Sequence, residues 1–475
     1  MKRLALLILA VGLLATACSD GDDTGQAGTT LASTATTSPT TTTTTPATTT
    51  TAAPAESADE EPGILTDGVT VTNDTIYVGI LADLSGPFSG NVIDLVDSQL
   101  AFWAAKNAAG GIAGRQVELL VVDTAYDLGQ HQLLYGNMVN QVVMFSHSTG
   151  SPHTASIADD LVRDQRLAIP VGWYSGWSDP GLGANLLELG SNYCIEATNA
   201  VSFLSETHQQ QFGELPTIAI ATDAGDYGQD SAAGAKFAAA QLGVDIAFDG
   251  EATLAFGGDP SATAAAIAAS GADYTWVATD PITAAELVSQ SLSSGYRGGW
   301  SGATPSFSPR LLDTALGDYL SQAWLVSVFF APAGADVPGM SEVYAVLAES
   351  FPDRFPSDGL VRGYLEFSLT AQVLERAAAL GDLTPAGVVD ASKQIGDVDF
   401  GGISPTNLYT GDFNTSVARQ TGLYRASKAL FESQGGLGAV LGDGAVSAFE
   451  PVAPAYVSEV AANMAFDEPC YVFGS

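Results

Sequence analysis

An α/β fold with two doubly wound parallel sheets follows from three features of this 475-residue sequence. Apolar, strand-like runs alternate with helix-like runs many times over, the rhythm of parallel strands covered by helices on both faces. A polar and aromatic interval between about residues 172 and 195 interrupts that rhythm and splits it into two series. The ~400 residues beyond the N-terminal region are also too many for one typical core, so two domains are expected.

The first series opens with a strand at Ile76 to Ala82 and a helix at Val92 to Ala108. Val117 to Val122 then precedes a helix at Leu128 to Val139, and Val142 to Phe145 precedes one at Ser151 to Arg163. Ala168 to Val171 closes this half. The second series starts with a helix near Glu196 to Gln211 and continues with Thr217 to Ala221, Gln229 to Leu242, Asp245 to Phe248 and Ser261 to Ala269. It ends in Tyr274 to Ala278 followed by Thr283 to Ser293. In such sheets ligands sit outside the carboxyl ends of the strands, where loops and helix N-termini converge.

The N-terminus reads as an export signal. Lys2 and Arg3 precede an apolar run from Leu4 to Leu14, shorter than the roughly 20 residues a membrane span needs. Residues 1–17 form the expected signal peptide. The small residues ending in Cys18 resemble a lipobox, in which that cysteine is lipidated; plain secretion is the alternative. Residues 18–68, nearly all Thr, Ala, Ser and Pro between Thr29 and Ala52, form a disordered tether, with folded structure from about Val69.

The formal charge of −37 becomes −39 when Lys2 and Arg3 leave with the signal. That charge argues against nucleic acid or an anionic membrane surface as a partner. With Cys18 lipidated, Cys194 and Cys470 remain, either as a disulfide or as two buried thiols. His147 and His153 match no common zinc spacing, and neither a metal nor a cofactor is expected.

The stretches "TIYVGILADLSGPFSG" and "AFWAAKNAAGGIAGRQVELLVVDTAYD" resemble the start of the type I periplasmic binding proteins of the branched-chain amino acid transporter class. The likeness continues through "STGSPHTASIADDLVRDQRLAIPV", "IAIATDAGDYGQD", "TLAFGGDPSATAAAIAASGADYTWVATDP" and "SGYRGGWSGATPSF". It implies a clamshell of two lobes joined by three crossovers, near residues 192–197, 328–332 and 410–418. Lobe 1 would hold residues 69–195 and 331–413, and lobe 2 residues 196–330 and 414–475. It also implies an extracytoplasmic, lipid-anchored monomer that delivers a small solute to an ABC permease with its ATPases.

Site residues are carried over piece by piece. Ser85 and Phe88 sit on the first loop, which lines the cleft or is merely a tight turn. The hydroxyl-rich Ser148, Thr149, Gly150 and Ser151 precede a helix and, in the family, hold a ligand carboxylate; Ser151 could instead only cap the helix. Trp173 and Tyr174 are expected as flat walls, with Trp177 either wall or core. On the second lobe Tyr227 closes over the ligand, Asp226 accepts from it or caps its helix, and Asp280 lies at the rim. Thr304 stands where amino-acid-binding members have the acid that pairs with the ligand ammonium. A buried ammonium without a partner costs about 3–5 kcal/mol. Unless Asp226, Asp280 or Glu196 substitutes, a small carboxylate, aromatic acid or amide is the better ligand.

Catalysis is not expected. The sequence has neither a G-x-S-x-G elbow nor a Walker-type loop, and "FGGDP" and "SGYRGG" lack the context of a dinucleotide fingerprint. The competing use of the same clamshell is ligand sensing. The chain ends at Ser475 with neither a membrane span nor an intracellular domain after the clamshell, so sensing would need a separate partner.

Overall fold

The computed structural model describes residues 63–410, 417–444, 447–466 and 468–472. The expected signal peptide, Cys18 and nearly all of the tether lie outside them. The described residues all belong to one compact unit, Glu60–Ser475.

The first lobe is built on a parallel sheet of β1 (Thr75–Ala82), β2 (Gln116–Asp123), β3 (Met144–Thr149) and β4 (Ala168–Val171), in the order β2-β1-β3-β4. Helices α1 (Ser89–Ala108), α2 (Leu128–Met138), α3 (Ser151–Ala155) and α4 (Ala158–Arg163) connect the strands. After β4 the chain enters α5 (Tyr193–Phe212) and builds β5 (Thr217–Asp223), α6 (Asp226–Leu242), β6 (Asp245–Leu254), α7 (Ser261–Ser270), β7 (Tyr274–Ala278), α8 (Pro281–Ser293), β8 (Gly299–Gly302), α9 (Gly317–Ala323) and β9 (Trp324–Val328).

The chain then returns to the first lobe with α10 (Met340–Ser350), α11 (Asp358–Ala379) and α12 (Pro385–Ser392), α11 lying on α1 and β3. A small antiparallel pair follows, β10 (Gly396–Val398) with β11 (Asn407–Tyr409). A third passage brings β12 (Thr421–Ala426) and β13 (Phe449–Tyr456) into the second sheet, whose order is β13-β12-β9-β8-β7-β5-β6. The two late strands run antiparallel to their neighbours, while β5 to β9 are parallel. The result is the two-lobed α/β fold that the alternating runs predict.

Local departures have local causes. The hydroxyl-rich segment extends β3 instead of forming a loop, because Ser148 and Thr149 pair with Pro170 and Val171. The single helix expected from Ser151 to Arg163 breaks in two. There the Ser156 hydroxyl donates to the His153 carbonyl at 2.7 Å, competing for a helical acceptor. Ordered structure starts before Val69: the Leu65 N–H donates to the Gly381 carbonyl at 2.9 Å, and its carbonyl accepts from Leu383 at 2.8 Å.

At the other end, residues 468–472 do not stay with lobe 2. A disulfide joins Cys470 to Cys194 at the start of α5, and the Tyr471 carbonyl accepts from the Tyr174 hydroxyl in lobe 1. Gly234 on α6 brings that helix against α5, since a Cβ there would meet the Cys194 carbonyl oxygen at 2.1 Å.

Candidate functional site

The carboxyl ends of the first-lobe strands and the start of α6 enclose a chamber lined by Phe88, Tyr126, Thr149, Gly150, Ser151, Trp173, Tyr193, Asp226, Tyr227 and Arg362, among others. After β1, the Asp83 carboxylate accepts from the backbone N–H groups of Gly86 and Phe88, the latter at 2.8 Å. A Cβ on Gly86 would lie 2.5 Å from that carboxylate and 2.7 Å from the Ala125 carbonyl oxygen. This tight turn sends the Phe88 ring into the chamber. Ser85 is not there: its hydroxyl bonds the Asp123 carboxylate.

The end of β3 is braced from behind. The Thr149 hydroxyl meets His147 Nε2 at 2.6 Å, and His147 Nδ1 meets Glu366 of α11 at 2.7 Å. Gly150 has φ 93°, and a Cβ there would lie 2.6 Å from His153 Nδ1 and 2.8 Å from the Tyr126 ring. Gly172 is equally tight, its imagined Cβ 2.4 Å from Ser151 Oγ. Both positions let backbone and hydroxyls reach the chamber where any side chain would fill it. Ser148 does not line it; its hydroxyl is engaged with His131 Nε2 at 3.2 Å and Thr154 Oγ1 at 2.7 Å.

Of the aromatic segment after β4, Trp173 forms a wall and Tyr174 does not. Trp173 packs on Phe329 at 4.5 Å between centroids, whereas Tyr174 packs on Trp177 at 5.4 Å and bonds the C-terminal segment. Trp177 is buried, its Nε1 donating to the Gly172 carbonyl at 2.6 Å.

The second lobe supplies Asp226 and Tyr227. Asp226 bonds the Ser151 hydroxyl across the cleft, its Oδ2 is left without a partner, and burial pushes its pKa up to about 6. The Tyr227 hydroxyl donates to the Thr279 carbonyl at 3.1 Å, which holds its ring 4.7 Å from that of Tyr193. Asp280 lies away from the chamber and caps α8, accepting from Ile282 N at 2.9 Å and Thr283 N at 3.0 Å. Thr304 belongs to an adjoining chamber, where it bonds Glu196.

Three lining residues carry no signal in the sequence. Tyr126 is aimed by two successive positive φ angles, 50° at Ala125 and 55° at itself, and packs on Phe88 at 4.9 Å. Tyr193 opens α5, its N–H donating to the Trp173 carbonyl at 2.7 Å. Arg362 comes from α11, with its guanidinium 5.3 Å from the Trp173 ring centroid.

This is a concave, aromatic-walled site with few polar groups, the usual form of a small-molecule binding cleft. Among the described residues no cluster of His, Cys, Asp and Glu is arranged to hold a metal. No described helix is long and apolar enough to cross a membrane.

The family profile for periplasmic binding proteins matches residues 75–426. Among solved structures, the chain is similar to a fatty acid ABC transporter substrate-binding protein from Thermomonospora curvata, at 25% identity and a TM-score of 0.74 over 85% of this chain and 97% of that one. It shares its fold with a branched-chain amino acid ABC transporter protein from Thermus thermophilus solved with bound valine (15% identity, TM-score 0.67, 82% and 97% covered). The same holds for LivJ from Streptococcus pneumoniae in complex with isoleucine (17%, 0.60, 80% and 100%). No curated relative matches the chain. With three quarters of its length in the profile and a cleft at its strand ends, the chain belongs to the type I periplasmic binding proteins, the extracytoplasmic solute-binding partners of ABC permeases.

Proposed function

We propose that this protein captures a small carboxylate-bearing solute between its lobes and hands it to an ABC permease with its ATPases. One observation carries the reading: the Thr149-Gly150-Ser151 segment of one lobe faces Asp226 and Tyr227 of the other across a single aromatic-lined chamber. The ligands named for similar proteins, valine, isoleucine and fatty acid, all carry a carboxylate. The lobes divide and hinge near residues 192–197 and 328–332, most of the third expected crossover, 410–418, lying outside the described residues, with Ser85, Ser148, Tyr174 and Asp280 supporting the cleft from outside its lining. The protein acts as a monomer without catalysis, lipid-anchored through Cys18 on a Thr-rich tether.

A thermal-shift screen of the full chain against amino acids, small and aromatic carboxylates, amides and polyamines tests the solute class. A ligand at about 100 times its dissociation constant stabilises by ~2.7 kcal/mol, a visible shift. Stabilisation confined to polyamines or neutral amides would overturn the carboxylate reading. Cys18→Ser should release the protein from the membrane fraction, and an unchanged distribution would remove the anchor.

A further inference from the structure

Arg362 stands on the wall shared by two chambers. Along with Asn91 and Pro305, it lines both the aromatic chamber and a second one beside it. Its guanidinium is held between aromatic faces, 5.3 Å from the Trp173 centroid and 5.5 Å from that of Phe330, and its Nε has no hydrogen-bond partner.

The carboxylates that favour its charge, Glu366, Asp358 and Glu196, have their hydrogen bonds with other groups. Glu366 bonds His147 and Gln99, Asp358 accepts from Ala333 N at 2.7 Å, and Glu196 is bound by Thr304. An enclosed cation with an open donor is costly in a folded protein unless something completes it.

Beyond Arg362 the second chamber has an apolar wall of Phe307, Val326, Val328, Phe330, Tyr424 and Phe449, contributed mainly by β9, β12 and β13. Charged groups at its edge are already partnered. Asp94 pairs with Arg354 at 2.6 Å, and Arg310 lies over the Phe355 ring at 4.9 Å. What remains for a ligand is a guanidinium with an open Nε donor beside this apolar wall.

We propose that Arg362 anchors the solute's carboxylate and that the second chamber takes an apolar tail, making the ligand an amphipathic monocarboxylate longer than an α-amino acid. This rests on the solute-binding reading and names the solute class for that site. The carboxylate would sit at the junction, with the Thr149-Gly150-Ser151 segment lining the head-group side.

The test is calorimetric titration of the full chain with butyrate, hexanoate, octanoate, decanoate and leucine, for the wild type, Arg362→Gln and Val328→Phe. Affinity should rise about fourfold per added methylene until the chamber is full. Arg362→Gln should weaken the carboxylate series by about 10- to 100-fold, the scale of a charged hydrogen bond. Val328→Phe should abolish the length dependence while butyrate binding survives.

Tight leucine binding that is indifferent to Arg362→Gln would overturn this inference and leave the solute-binding reading standing. Absence of binding by any alkanoate would overturn it as well.

Discussion

Thr304 grips both carboxylate oxygens of Glu196: its backbone N–H donates to Oε2 at 3.2 Å, and its hydroxyl donates to Oε1. The position that lacks the family's acid therefore contacts an acid from the start of α5. Burial pushes the Glu196 pKa up to about 8, so this carboxyl is largely protonated at neutral pH. A neutral carboxyl pairs poorly with a ligand ammonium, which favours solutes without one.

The same burial makes stability fall as pH rises. Asp223 and Asp230 are also raised by burial, to about 7 each. A raised carboxyl holds its proton in the folded state after the unfolded chain has released it, so stability declines from the unfolded pKa up to the folded one. Below about pH 6.5 the buried imidazoles act in the opposite sense, since burial lowers His131 to about 3 and also lowers His153. The clean window is therefore about pH 6.5 to 8.5. We expect the melting temperature to drop across it, and Glu196→Gln to flatten the drop; a flat wild-type profile would contradict the assignment.

Gly150 and Gly172 leave no room for a side chain. Gly150→Ala would place a methyl against His153 and Tyr126 at a φ of 93°, and Gly172→Ala would place one on Ser151. Each should reduce solute affinity by about tenfold or more, with a strain cost of about 1–3 kcal/mol. Equilibrium titration checks the affinity and denaturant melts the stability.

Phe88 and Phe256 come from opposite lobes and meet edge to face at 5.0 Å. On the proposed hinge motion, that contact is made only in the closed arrangement. An aromatic pair is worth about 0.5–1.5 kcal/mol beyond burial. Phe256→Ala should therefore weaken binding by about 2- to 13-fold, mainly through faster release in stopped-flow measurements. Unaltered release would place closure elsewhere.

The Cys194–Cys470 disulfide fixes the C-terminal segment, where Cys470 N donates to Ser175 Oγ at 2.8 Å and Ser175 in turn bonds Asp230 on α6. Cys470→Ser should cost about 2–4 kcal/mol of stability, read by denaturant melts. Peptide mapping without reductant should recover the two cysteines linked.

Asp280 provides a contrast. Its carboxylate caps α8, so Asp280→Ala should lose about 0.5–2 kcal/mol of stability and leave solute affinity within twofold, roughly the reach of a residue outside the lining. A large affinity loss would return Asp280 to the site.

The alternation of apolar runs and amphipathic helices determined the parallel strands of both sheets, and the resemblance of the strand-end loops to those of the family placed Phe88, Gly150, Ser151, Asp226 and Tyr227 at the cleft. Those are local properties, set by periods of two and 3.6 residues and by which residues tolerate tight turns. Sequence proximity could not tell Trp173 from Tyr174, because neighbours in a loop face different ways, and here the C-terminal segment draws Tyr174 outward. Nor could it find Arg362, which lies on a long helix among ordinary core positions. Only the chain's return across α1 brings that guanidinium to the Trp173 ring, with 188 residues of intervening sequence folding elsewhere. Periodicity fixes which face of an element is buried, but what that face meets is decided by packing between distant segments.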